Sequence, residues 1–158
     1  MADFINTIDL LGDDVVIDSI INRTITEFKD DTIETVGSYA FFQCNALVEV
    51  DIPNCKTLSS AAFQYCGSLR KVNSAAEAIG VELFRRGCGS MDTFILRNAE
   101  KVASLADKAG FNNTKIGSGT GYIYVPKSLV DSYKAATNWS TLSAQIRAIE
   151  DYPEITGG

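Results

Sequence analysis

Thr35-Val36-Gly37-Ser38-Tyr39-Ala40-Phe41-Phe42-Gln43-Cys44-Asn45-Ala46-Leu47-Val48-Glu49-Val50-Asp51-Ile52-Pro53 is one copy of a pattern that the chain repeats. Phe41-x-x-Cys44 returns as Phe63-x-x-Cys66, 22 residues on, and Cys88 follows after another 22. The apolar positions between them keep step. Ile25, Leu47, Leu69 and Met91 form one series, and Phe28, Val50, Val72 and Phe94 a second, each advancing by 22. Val36, Leu58 and Ile79 form a third, five residues ahead of Phe41, Phe63 and Phe84, with one residue slipped in the last copy. A period of roughly 20 to 30 residues marks a solenoid, in which each coil cannot bury its apolar face alone and is stable only in a stack. Function is then expected on a surface that stacking creates.

Inside one coil the pattern divides in two. Leu47, Val50 and Ile52 read as a short strand with one face inward, ended by Pro53, and residues 38–44 read as a return arm that points Ala40, Phe41 and Cys44 into the core. Each buried Phe should contribute roughly 1.5–3 kcal/mol, so Phe41, Phe63 and Phe84 are expected to hold successive coils together. With rungs about 4.8 Å apart, Cys44, Cys66 and Cys88 form a column of small interior residues. A disulfide fits that spacing, but three thiols cannot pair completely. A metal site would want His or C-x-x-C, and the chain has no His. The column therefore reads as packing, and Cys55, after Pro53-Asn54, as the one accessible thiol.

These residues resemble the repeat of the BspA-like leucine-rich repeat family, I-G-x-x-A-F-x-x-C-x-x-L-x-x-[VI]-x-[IL]-P. The copy from Thr57 to Ser74 keeps Ala62-Phe63, Cys66, Leu69 and Val72, with Ser59 in place of Gly37 and Ser74 in place of Ile52. The copy from Ala78 to Leu96 keeps Ile79-Gly80, Phe84, Cys88 and Phe94, with Leu83 in place of the small residue before Phe. The resemblance implies an α/β repeat fold: a short leucine-rich-repeat solenoid of about five coils of ~22 residues, with an N-terminal cap and a helical C-terminal cap. The expected divisions are residues 1–24 for the N-terminal cap or attachment segment, 25–126 for the solenoid, and 127–158 for the C-terminal cap and tail.

The flanks are read as covers for the apolar ends of the stack. Asp13 or Asp14 could cap a helix over Val15-Val16-Ile17-Asp18-Ser19-Ile20-Ile21, although the β-branched run suits a strand almost as well. Past Leu96 an insertion stretches the period, with a short helix expected over residues 98–109 and a turn at Phe111-Asn112-Asn113-Thr114. Ile116-Gly117-Ser118-Gly119-Thr120-Gly121 is no phosphate loop, because a strand follows it and no Gly-Lys-Ser/Thr is present. It is expected to be a flexible turn. Tyr122-Ile123-Tyr124-Val125-Pro126 makes a fifth strand. Leu129, Val130, Tyr133 and Ala136 share a helical face, Trp139 seals the core, residues 145–149 read as either strand or helix, and the tail 152–158 is expected to be mobile.

In a chain of 158 residues, 14 basic against 20 acidic residues with no basic run argue against a nucleic-acid partner. The start lacks a charged segment followed by an apolar one, and nothing approaches the ~18 apolar residues of a membrane span, so neither a signal peptide nor membrane insertion is expected. Without His, G-x-S-x-G or C-x-x-C, neither catalysis nor a cofactor or metal is expected. The 10–33 and 122–140 blocks resemble short leucine-rich repeat proteins encoded among structural genes of phages and prophages of Gram-positive gut bacteria. That resemblance implies a virion accessory protein for host attachment, located in the particle; a cell-surface or secreted BspA-like adhesin is the alternative. Implied partners are other virion proteins, a host surface protein or glycan, or a second copy of the chain.

The residues alternating with the buried series give two outward columns, Glu27-Glu49-Lys71-Thr93-Tyr122 and Lys29-Asp51-Asn73-Ile95-Tyr124. Tyr122, Tyr124 and Ile95, with Thr93, Lys71 and Glu49 beside them, are the candidate partner-binding residues. Exposed aromatic and apolar groups of that kind mark contact sites, while the competing reading is that the tyrosines merely cover the sheet.

Overall fold

In a computed structural model, residues 23–84 and 86–157 are described. The N-terminal cap reading, with Asp13 and Asp14, lies outside them. Among the described residues, ten short strands build two parallel sheets. The larger contains β1 (Glu27–Lys29), β3 (Glu49–Asp51), β5 (Lys71–Ser74), β7 (Thr93–Leu96), β9 (Tyr122–Val125) and β10 (Ile146–Ala148), stacked in that order. The smaller contains β2 (Thr35–Val36), β4 (Thr57–Leu58), β6 (Ala78–Ile79) and β8 (Ser104–Leu105), again in chain order. Every strand pairs with the same position of the next coil, as Phe28 with Val50, Val50 with Val72, Val72 with Phe94 and Phe94 with Ile123. From Phe28 to Phe94 the 22-residue period is therefore the hydrogen-bond register itself, and the pairing of Phe94 with Ile123 keeps the same alignment across the insertion. Residues 145–149, open between strand and helix in the sequence, supply the sixth strand, β10.

The return arms continue the ladder by another route. Phe41 N–H donates to Ala62 C=O at 2.9 Å, Gln43 N–H to Gln64 C=O at 2.9 Å, and Phe84 N–H to Gly110 C=O at 3.1 Å. To keep these bonds the arms bend through left-handed residues at repeated positions: Tyr39, Ala61 and Glu82 at φ 60°, 59° and 58°, then Gln43, Tyr65 and Gly87 at 60°, 61° and 71°. A side chain in that region costs about 1–2 kcal/mol, which the inter-coil bonds offset.

The arms carry the aromatic column. Phe41 and Phe63 stack at 5.4 Å, Phe63 and Phe84 at 5.6 Å, and Phe28 meets Phe41 edge-on at 5.2 Å. Phe111 continues the file, 5.6 Å from Phe84, and Trp139 ends it, 5.9 Å from Phe111. Residues 111–114, read as a turn, are thus a fourth arm: Gly110-Phe111 replaces Ala-Phe, and Thr114 stands where the cysteine was, buried, its Oγ1 donating to Phe111 C=O at 2.6 Å.

Two further expectations are corrected here. Residues 98–107 form no helix, and only a single 3-10 turn, Lys108–Phe111, follows. Glu100 N–H donates to Asn98 Oδ1 at 2.9 Å, a local turn that competes with helical bonding, and β8 then pairs with β6 so that Leu105 joins Val36, Leu58 and Ile79. Cys55 is not accessible but fully buried. The chain folds inward there, with Cys55 N–H donating to Ile52 C=O at 3.0 Å, and the position lies 22 residues after the equally buried Ile33.

At the C-terminal end, α1 (Val130–Ala135) and a 3-10 segment, Trp139–Gln145, close the stack. Tyr133 and Trp139 are both buried; Ala103 N–H donates to Tyr133 Oη at 2.9 Å, and Trp139 Nε1 donates to Ala103 C=O at 2.7 Å. A single helical turn, α2 (Pro153–Thr156), ends at Gly157, whose φ of 77° suits glycine. Among the described residues no helix is long and apolar enough to cross a membrane.

Candidate interaction face

The outer face of the larger sheet is where the columns read from sequence come together. Glu27, Glu49, Lys71, Thr93 and Tyr122 stand opposite one another on successive strands, and so do Lys29, Asp51, Asn73, Ile95 and Tyr124. Parallel pairing at fixed register sets their backbones about 4.8 Å apart, so the face is a rigid array.

Its first half is charged. Lys29 Nζ lies 3.5 Å from Glu27 and 3.8 Å from Glu49, and the attraction of Glu49, then Glu27, holds the ammonium pKa above its ordinary value. Arg70 pairs with Asp92 at 3.5 Å. Further along, Asn73 Nδ2 donates to Asp51 Oδ1 at 2.7 Å, and Arg97 Nε donates to Asn73 Oδ1 at 2.8 Å. That relay fixes the Arg97 guanidinium over the sheet.

The second half is covered. Ile95 and Tyr124 are buried, 0% and 3% exposed, beneath Ile149, Tyr152 and Ile155. The expectation that they form an exposed patch is corrected, and so is that of a mobile tail. Residues 152–157 fold back across the sheet as a strap: Lys71 Nζ donates to Ile155 C=O at 2.8 Å, and Arg97 Nη2 donates to Thr156 C=O. Tyr152 packs edge-on against Tyr124 at 5.5 Å. Burial chiefly, then the neighbouring Tyr152 and Tyr122, pushes the Tyr124 phenol pKa up. Tyr122 stays partly exposed, with the Arg147 guanidinium 4.6 Å above its ring.

Glu49, Lys71, Thr93 and Tyr122 are brought together along one shallow concavity of about 480 Å³, bordered on its far side by Glu154 and Ile155 of the strap. Tyr124 also lines it, and Ile95 does not. Among the described residues no group of three or more His, Cys, Asp or Glu converges to hold a metal ion. The arrangement offers contact chemistry: charges of both signs, a hydroxyl and an aromatic edge on a stiff support. The strap could not be found from sequence pattern, because its bonds to the sheet end on main-chain carbonyls that any residue carries.

A comparison with curated proteins finds no match. Residues 19–136 match the family described as BspA type Leucine rich repeat region, in six copies. Leucine-rich repeats of this kind are in general non-enzymatic modules for protein–protein interaction. With three-quarters of its length inside the match, and coils that carry that repeat at a constant register, the chain belongs to the BspA-type leucine-rich repeat family.

Proposed function

We propose that this protein is a non-enzymatic accessory component of a bacteriophage particle, and that the open part of the sheet's outer face meets a host-surface protein or glycan, or a neighbouring virion subunit. The observation that carries the recognition role is the row Glu49, Lys71, Thr93 and Tyr122 along one concavity. A hydrogen-bonded ladder fixes the backbone under these side chains in advance, so only their rotamers are ordered on binding, and such a row favours recognition of a surface over chemistry. Support for the particle setting comes from the resemblance of the 10–33 and 122–140 blocks to short repeat proteins of phage structural gene sets.

Two measurements test this. Mass spectrometry of purified particles should detect the chain at a constant ratio to the major structural proteins, and its absence would remove the virion role. Glu49→Lys with Thr93→Arg reverses one charge and fills the concavity without touching the interior. These changes should lower binding to host cells, or incorporation into particles, at least tenfold with an unchanged melting temperature. Unaltered binding and incorporation would place recognition elsewhere.

A further inference from the structure

The strap lies on the sheet as a ligand would. Ile95, Tyr124 and Ile149, with Tyr122, Tyr152 and Ile155 against them, form an apolar cluster separate from the interior core. The cations that hold the strap both address main-chain oxygens, Lys71 that of Ile155 and Arg97 that of Thr156. These are among the last carbonyls of α2, and the end of a helix is where carbonyls lack internal partners and where positive charge is favoured. Arg97 is also held by groups outside the strap, its Nε donating to Asn73 Oδ1, which is bonded in turn to Asp51. The strap itself is a single turn, and the Thr156 hydroxyl is shared between Tyr152 C=O at 2.9 Å within it and Ile149 C=O at 3.2 Å just outside it. A turn that short is marginal alone and depends on its seat.

We propose that Ile95, Tyr124, Lys71 and Arg97 form a binding site for the C-terminal turn of a helical protein segment, and that residues 152–157 fill this site in cis until a partner segment replaces them. The partner brings one aliphatic side chain to the seat of Ile155 and two free carbonyls to Lys71 and Arg97. This deepens the reading of the outer face as a recognition surface and rests on it. The tethered strap competes at an effective concentration of about a millimolar, so a partner must add contacts, and the adjoining concavity beside Lys71, Thr93 and Tyr122 supplies room for them.

The probe is a fluorescein-labelled peptide of residues 149–158, followed by anisotropy against the full chain. Ile155→Asp places a charge in the apolar seat and releases the strap. The released chain should bind the peptide at least tenfold more tightly than the unsubstituted chain does, and adding Arg97→Ala should reverse that gain. A folded Ile155→Asp chain that does not bind the peptide overturns the proposal. So does one that fails to fold, since the strap would then belong to the core. In the unsubstituted protein, the amides of Ile155, Thr156 and Gly157 should exchange with solvent at least a hundredfold faster than those of β5; equal protection also overturns it. Glu49→Lys leaves the seat intact, so peptide binding and host-cell binding fail independently, and the outcome separates this site from the wider reading of the face.

Discussion

The Cys66 thiol donates to the carbonyl of Phe41 in the preceding coil, 3.0 Å away, and the Cys88 thiol repeats the contact to Phe63 at 2.9 Å. Each cysteine thus stitches its own arm to the one before it. All four thiols are free and buried, and burial raises the pKa of Cys44, Cys55 and Cys88 from 9.0 to about 11 and that of Cys66 further still. In the unfolded chain they ionise near their ordinary value. Between pH 9 and 11 the folded state therefore binds more protons than the unfolded one. Stability is full below that window and is lost as pH rises through it, by about 1.4 kcal/mol per pH unit for each thiol held protonated. Guanidinium midpoints measured at pH 8 and pH 10 should show the fall, and Cys55→Ala should reduce it. At pH 8 a thiol reagent should modify none of the four until the protein is unfolded.

Phe63 lies between Phe41 and Phe84, stacked on both, with no exposed surface. Phe63→Ala leaves a cavity in the middle of the column and should destabilise by about 3–5 kcal/mol. Phe42 points the other way, half-buried between Tyr39 and Tyr65 in edge-on contacts at 5.5 Å. Its replacement by Ala should cost about 1 kcal/mol. Urea unfolding followed by circular dichroism distinguishes the two, and equal losses would contradict the column.

The contrast between neighbouring Phe41 and Phe42 shows what was legible in the sequence. Position within the period tells inward from outward; both outward columns, Glu27 to Tyr122 and Lys29 to Tyr124, were readable because register and period coincide as far as Thr93 and Ile95, and because Val125-Pro126 repeats Ile52-Pro53 beyond them. Phe111 was missed because insertions on both sides break the spacing and Thr114 replaces the cysteine, although Gly110-Phe111-x-x-Thr114 keeps the shape of the arm. Cys55 was misread through its neighbours Pro53 and Asn54, whereas its 22-residue offset from Ile33 carried the right signal. For the candidate site, the row of Glu49, Lys71, Thr93 and Tyr122 was legible, but the cover over Ile95 and Tyr124 was not. The Lys71–Ile155 bond spans 84 residues and has no periodic counterpart.

The glycine run before β9 gives a third prediction. Rather than swinging freely, it is wound tightly, with Thr120 and Gly121 N–H groups both donating to Lys115 C=O at 2.8 and 2.9 Å. A Cβ on Gly117 would lie 2.2 Å from Phe111 O, and one on Gly121 2.8 Å from Asp92 Cα and O. Those obstacles are backbone, so they cannot rotate away. Gly117→Ala and Gly121→Ala should each destabilise by about 1–3 kcal/mol through forced displacement of that backbone. Thermal unfolding of the two variants provides the check; unchanged midpoints would mean the turn is as loose as its composition suggests.

Trp139 is the only tryptophan in the chain and is 1% exposed, against the Phe111 and Tyr133 rings. Its emission should be blue-shifted in the folded protein and move to the red on unfolding, so it reports closure of the solenoid end directly. Trp139→Phe keeps an aromatic ring at the head of the column but removes the indole N–H that donates to Ala103 C=O at 2.7 Å. Leaving that buried carbonyl unpaired costs about 1–3 kcal/mol. Tyr133→Phe removes the acceptor for Ala103 N–H at the same residue, which strands the opposite polarity. Because both side chains grip the two sides of one residue, the double variant should lose less than the sum of the single losses. A double-mutant cycle on chemical denaturation measures this, and strict additivity would mean that the two contacts act independently.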